Sequence, residues 1–317
     1  MSVSVMALTA PNTLRTPLRK PLNVLVTGAA GSGKTSTIDA LFKARDGQIC
    51  LKTFSASSGM TRYDFGGLVV WECPGLGGDE ANEAHNVHVL RQLLGEHDKD
   101  GCPLIDLVLL LVDASRRDLG TTFDLLNQVL IPSFEACEHR LVVALNQADM
   151  AMKGRHWDFD ACMPLPPLRE FLDEKAASLA RRLHENTGLH CAPIYYSAGF
   201  GGEGERQSPY NLQQLLWTLV QQTPPEHRTL YKAALSDVAE NWKSGELHEQ
   251  AIQSLNQALS ESLPAAQTYA EVSQQDEEST PNSGEGETPM QEAGWFAGLR
   301  AFFAGWFAKP APVRRVR

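Results

Sequence analysis

The sequence predicts an α/β protein: a doubly wound, mostly parallel sheet with helices on both faces. Two observations carry that expectation. Short, almost continuous apolar runs (Leu22–Val26, Leu68–Trp71, Leu107–Val112, Leu141–Leu145 and Pro193–Tyr196) alternate with helix-length segments. Runs of this length and composition suit strands buried on both faces, and their alternation with helices implies right-handed crossovers. The first run also passes directly into a glycine-rich loop and then a helical pattern, a junction typical of nucleotide-binding α/β domains.

The chain divides by composition. Residues 1–20 read as a disordered lead-in, 21–225 as the α/β domain and 226–265 as a helical extension with Leu230, Ala234, Val238 and Trp242 on one stripe. Residues 266–292 are acidic and rich in Ser, Pro and Gly and read as a flexible linker. Residues 293–317 form an aromatic segment with a basic tail. A net charge of -10 disfavours a dominant nucleic-acid role, because neutralising phosphates needs a basic surface. The six cysteines (Cys50, Cys73, Cys102, Cys137, Cys162 and Cys191) show neither CxxC pairs nor histidines at ligand spacing. That argues against a zinc site or a disulfide framework and suits a reducing cytoplasm. No run approaches the ~20 apolar residues of a spanning helix, and Met1–Lys20 lacks the apolar core of a signal peptide. The expectation is a cytoplasmic protein, peripheral at most at the inner membrane face.

The strongest motif is Gly28-Ala29-Ala30-Gly31-Ser32-Gly33-Lys34-Thr35-Ser36, a G-x-x-x-x-G-K-T loop between strand and helix. Its glycines let backbone N–H groups turn towards a β-phosphate, and the helix N-terminus adds its dipole. Lys34 is expected to bridge the β- and γ-phosphates, and the Thr35 hydroxyl to hold Mg²⁺. Asn146-Gln147-Ala148-Asp149 follows the fourth apolar run and selects the base. A carboxylate at Asp149 accepts hydrogen bonds from guanine N1–H and the 2-amino group, a donor pair that adenine lacks. Asn146 would tie this loop to the P-loop, and the methylenes of Gln147 would cover the base plane. Ser197 and Ala198, after the last run, would offer a backbone amide to guanine O6. The expected ligands are therefore GTP or GDP with Mg²⁺.

Between these motifs, Glu72-Cys73-Pro74-Gly75-Leu76 stands where phosphate hydrolysis calls for Asp-x-x-Gly. Glu72 would support the metal, and the Gly75 amide would contact the γ-phosphate. Leu76 takes the place of a water-positioning glutamine. A switch threonine should precede this turn: Thr61 is the first choice and Thr53 its competitor, against an ordinary loop threonine. Lys34, Thr61 and Gly75 are thus the candidate catalytic residues, and Thr35, Thr61 and Glu72 the candidate metal ligands. Asp113-Ala-Ser-Arg116-Arg117-Asp118 could place an arginine near the phosphates, although a solvated, salt-bridged loop is the favoured reading.

In order and spacing these motifs resemble the Era/TrmE-like bacterial GTPases, and more closely the YfjP/YkfA-type predicted GTPases. The closer resemblance rests on Leu104-Ile-Asp-Leu-Val, Arg117-Asp-Leu-Gly, Asn146 through Trp157 and Pro193 through Phe200. It covers about Pro21 to Thr229 and implies a Ras-like, GTP-binding P-loop fold with Mg²⁺. Two departures stand out: Glu72-Cys73 replaces the usual Asp-Thr, and Gly31 sits where potassium-activated relatives carry an Asn that holds K⁺. Slow hydrolysis by a molecular switch is the expectation, with a non-hydrolysing, GTP-gated binding module as the alternative.

Near the C-terminus, Ala-Gly-Trp-Phe-Ala occurs twice, and at helical pitch Trp295, Leu299, Phe302, Phe303 and Trp306 share a face flanked by Arg300 and Lys309. Such a helix is too short to span a bilayer and suits a membrane surface or a protein partner.

Overall fold

The computed structural model describes residues 20–42, 52–53, 59–77, 80–133, 140–201 and 206–260. The linker and the Trp295–Trp306 helix lie outside them. A seven-stranded sheet runs in the order β2-β3-β4-β1-β5-β6-β9. Its five apolar strands are β1 (Leu22–Gly28), β4 (Leu68–Glu72), β5 (Leu107–Asp113), β6 (Leu141–Asn146) and β9 (Ile194–Tyr195), the runs that the sequence marks. All pair in parallel. β2 (Lys52–Thr53) and β3 (Thr61–Asp64) add an antiparallel edge. This is the Ras-like, doubly wound α/β arrangement that the sequence predicts.

Strand side chains alternate between two cores. Leu25, Val108, Leu110 and Val112 point into a core under α2 (Glu80–Gly95), α3 (Gly120–Leu125) and α5 (Pro166–Thr187). Val24, Val26, Leu107, Leu109 and Leu111 point into the other, under α1 (Lys34–Leu41), α6 (Leu212–Gln222) and α8 (Glu249–Ala258). Every residue of β5 is buried. Each buried Leu or Val side chain stabilises the fold by about 1.5–3 kcal/mol, which fixes the strands and hence the loops at their C-terminal ends. Between α3 and α5 lie α4 (Ile131–Ser133) and a hairpin of β7 (Trp157–Asp158) with β8 (Met163–Pro164); β10 (Phe200–Gly201) pairs with β11 (Arg206–Gln207).

The extension departs from its expected form. Instead of one helix with a four-residue stripe, it is broken into α7 (Leu230–Ala234), a 3-10 turn at Ala239–Trp242 and α8. Backbone bonds to the α/β domain win over helix continuation. Leu235 turns extended, and the Ser236 N–H donates to the Leu41 carbonyl at 2.9 Å. Asn241 Nδ2 donates to the Ala40 carbonyl at 2.9 Å, and Tyr231 and Ala234 are buried in the second core. The extension is thus part of the domain's own packing.

Candidate functional site

Four parallel strands end side by side, and each delivers one motif. β1 runs into the P-loop, β4 ends at Glu72, β5 at Asp113 and β6 at Asn146. β1 lies between β4 and β5, so the crevice opens at the point where the strand order reverses, where α/β sheets bind ligands.

Asn146, 2% exposed, holds this end of the sheet together. Its Nδ2 donates to the Ser32 carbonyl at 2.9 Å, and its Oδ1 accepts the Ala198 N–H at 3.1 Å. Its carbonyl accepts the Ala114 N–H at 2.8 Å. A Cβ at Gly33 would lie 2.1 Å from Asn146 Nδ2, and Gly33 has φ +84°, so only glycine fits there. Gln147 also reaches the P-loop, where its side-chain amide donates to the Gly31 carbonyl.

Helix α1 opens at Gly33 without a side-chain cap, and none of the Gly33, Lys34, Thr35 and Ser36 N–H groups donates to a protein acceptor among the described residues. Lys34 is nearly buried; its Nζ donates to the Gly28 and Ala29 carbonyls at 3.2 and 3.0 Å. Burial lowers its pKa, against the opposing pull of Cys73 and Glu72. The Thr35 hydroxyl donates to Glu72 Oε1, and the Tyr63 hydroxyl donates to Glu72 Oε2 at 2.8 Å. Tyr63 is held neutral, its pKa raised by burial and by Glu72. Thr61 lies on β3 rather than in a loop, its Cα paired in register with Glu72, and both line the same cleft as Lys34, Thr35 and Gly75. Thr53 pairs with Thr61 on the neighbouring strand. A Cβ on Gly75 would fall 2.6 Å from the Ala30 Cα. Leu76 follows it, 2% exposed, and its carbonyl accepts the Ala30 N–H at 2.7 Å.

Asp149 stands in the first turn after β6, only 8% exposed, and its carboxylate has no hydrogen-bond partner among the described residues. A buried carboxylate in that state costs free energy unless a donor from outside the chain meets it. Ser197 and Ala198 differ from expectation. The Ser197 N–H donates to the Tyr210 carbonyl at 3.1 Å, and the Ala198 N–H is taken by Asn146. Both amides therefore serve the fold. Arg116 forms the expected ion pair, Nε to Asp113 Oδ2 at 3.2 Å, but also reaches the P-loop, donating from Nη2 to the Ala30 carbonyl at 3.3 Å.

No protein-family model matches the chain, and no curated protein does either. Among solved structures it is similar to the G domain of the T. maritima FeoB iron transporter, with 18% identity over 63% of this chain and 98% of that one, at a TM-score of 0.35. It is also similar to a GTP-binding protein of the archaeon Sulfolobus solfataricus in complex with GDP, with 16% identity, 63% and 52% coverage and a TM-score of 0.37. The cytosolic domain of L. pneumophila FeoB is a third, with 18% identity, 63% coverage of each chain and a TM-score of 0.36. The chain thus spans about half the archaeal protein. At these values the likenesses carry no functional weight, and the reading below rests on the residues themselves.

Two contributors escaped the sequence reading. Tyr63 sits nine positions before Glu72, on a short polar edge strand that shows no apolar run. Lys175, on α5, donates from Nζ to the Ala114 carbonyl at 2.7 Å and to that of Arg116. A lysine in the middle of a polar helix face gives no sequence signal of this role. Among the described residues no group of three or more His, Cys, Asp or Glu could hold a metal, and no helix is long and apolar enough to cross a membrane.

Proposed function

We propose that the chain binds GTP with Mg²⁺ and hydrolyses it slowly, acting as a switch between nucleotide states. The observation that carries this reading is the nearly buried Asp149, whose carboxylate has no partner among the described residues, in the loop whose Asn146 secures the P-loop. Guanine supplies the missing donor pair; adenine does not. Displacement of a fluorescent GDP analogue by GTP and GDP, but not by ATP, tests it; equal displacement by ATP rejects it.

The residues divide the work. The N–H groups that open α1 receive the β-phosphate, and Lys34 exchanges its two carbonyl partners for phosphate oxygens. Thr35 and Glu72 already meet oxygen to oxygen, which suits a small cation that takes few protein ligands and otherwise keeps water and phosphate oxygens. Mg²⁺ there would neutralise charge on the phosphates. Tyr63 positions the Glu72 carboxylate, and so answers the extra methylene relative to Asp. Tyr63→Phe is expected to raise the Mg²⁺ concentration needed for half-maximal GTP binding by about 3- to 10-fold, consistent with one hydrogen bond to a charged group. GDP binding without Mg²⁺ should stay unchanged in the same titration.

Leu76 favours a second reading, a GTP-gated binding module that does not turn over, because its side chain is buried where water must be oriented. Single-turnover release of γ-phosphate separates the two. Where turnover occurs, the rate should be the same in KCl and NaCl to within about 2-fold, because Gly31 has no side chain to hold K⁺; a large potassium-specific acceleration would reject this. Kinship with the YfjP/YkfA-type predicted GTPases, a cytoplasmic setting, and contact with a membrane or partner through Trp295–Trp306 belong to the same proposal and rest on sequence.

A further inference from the structure

The loop after β5 carries a cation that the fold does not need for its own support. Its backbone is pinned three times without the Arg116 side chain: the Ala114 N–H donates to the Asn146 carbonyl, and Lys175 holds the Ala114 and Arg116 carbonyls. Asp113, only 8% exposed, is fixed by the Ser115 N–H at 2.8 Å and the Ser115 hydroxyl at 2.6 Å, both on Oδ1. On this rigid base the Arg116 guanidinium crosses to a P-loop lying 86 residues earlier in sequence. Asp113 takes Nε and the Ala30 carbonyl takes one N–H of Nη2, at a long 3.3 Å. The remaining N–H groups have no partner among the described residues. An ion pair with a 55% exposed arginine contributes at most about 1 kcal/mol, so fold stability does not explain the placement.

The placement is chemically pointed. Arg116 Nη2 would be 3.6 Å from a Cβ at Gly31, so the guanidinium lies at ordinary contact distance from that P-loop position. Nearby, Leu76 is buried and orients no water. Lys34 and the half-exposed Arg116 guanidinium thus both reach backbone carbonyls of the P-loop, and the planar fork of the guanidinium matches phosphate oxygens.

We propose that Arg116 is a catalytic residue supplied by the chain itself, donating to phosphate oxygens of bound GTP and stabilising charge on the departing GDP. This rests on the GTP reading above. In the step concerned, a water oxygen bonds to the γ-phosphorus and the bond from that phosphorus to the β–γ bridging oxygen breaks. The electron pair remains on GDP, and the water proton leaves with inorganic phosphate. Arg116 acts where negative charge grows, on the bridging and β-phosphate oxygens. Asp113 sets the direction of the guanidinium and remains its ion-pair partner.

The test uses the full-length chain, its Arg116→Ala and Arg116→Lys variants, and three readouts: GDP affinity, single-turnover γ-phosphate release, and trapping of GDP with aluminium fluoride and Mg²⁺. Arg116→Ala should hydrolyse at least about 10-fold more slowly, fail to trap GDP–aluminium fluoride, and bind GDP within about 3-fold of the parent. Arg116→Lys should restore little, since an ammonium cannot span two oxygens. Parental turnover and trapping in Arg116→Ala overturn the proposal, as does a loss of turnover that merely follows lost GDP binding. A parent chain that binds GDP but neither turns over nor traps overturns it too. A parent chain that binds no guanine nucleotide sinks the GTP reading itself, a separate and recognisable failure.

Discussion

Asp149→Asn should lose GTP affinity by about 100-fold or more and should bind xanthosine triphosphate better than the parent does. Asp149 is 8% exposed and its carboxylate meets no partner among the described residues, so it is free to accept the donors that the base presents. Guanine offers two. An amide at that position accepts one and turns a donor against the other, leaving two N–H groups opposed in a site that water barely enters. An unsatisfied buried group costs about 1–3 kcal/mol, and the loss of a charged acceptor adds to it. Xanthine carries an oxygen where guanine has its 2-amino group, so the amide regains its partner. Competition binding with both nucleotides measures the exchange. A variant that still prefers GTP would show that the turn after β6 does not read the base.

Lys34→Ala is the second large effect. We expect GTP affinity to fall on the order of 100-fold and turnover to become undetectable, because two phosphates lose a buried cation and its charge-assisted bonds. The free protein should not suffer in parallel. Its Lys34 is stripped of water, which lowers its pKa, and it is compensated by just two backbone carbonyls in the described structure. Removing it takes away a desolvation cost along with two bonds, so the melting temperature without nucleotide should stay within a few degrees of the parent. Calorimetry beside the binding assay separates these outcomes. Turnover at the parental rate would contradict the assignment of Gly28–Thr35 as the phosphate loop.

The parts of this arrangement that were legible in the sequence share a physical reason. Strands buried on both faces must be apolar throughout, so β1, β4, β5, β6 and β9 announce themselves, and the loops at their ends follow by position. Edge strand β3, reading Thr-Arg-Tyr-Asp, is half solvated and carries no such mark. Tyr63 and the strand setting of Thr61 were hidden with it. The extension misled for the opposite reason: its apolar residues recur every four positions in the sequence, but the chain leaves the helix after Ala234 and bonds instead to Leu41 and Ala40, more than 190 residues away. Only the folded arrangement reveals that competition. Arg116 illustrates a third case, in which the sequence shows a charged loop and the fold alone decides what the loop faces.

Asn146 has a consequence for the order in which the molecule is made. Its side chain joins Ser32, 114 residues earlier, to Ala198, 52 residues later. Contacts so distant in sequence bear a large loop-closure entropy and form late in folding. The sheet interior, by contrast, can begin to condense from β1, β4 and β5 while the rest of the chain is still being synthesised. The crevice therefore takes shape only after β9 has left the ribosome and settled beside β6. A nascent chain that stops short of Ala198 can join Asn146 to Ser32 but leaves Asn146 Oδ1 without its Ala198 donor. Asn146 therefore completes its links only in chains whose β9 is in place beside β6.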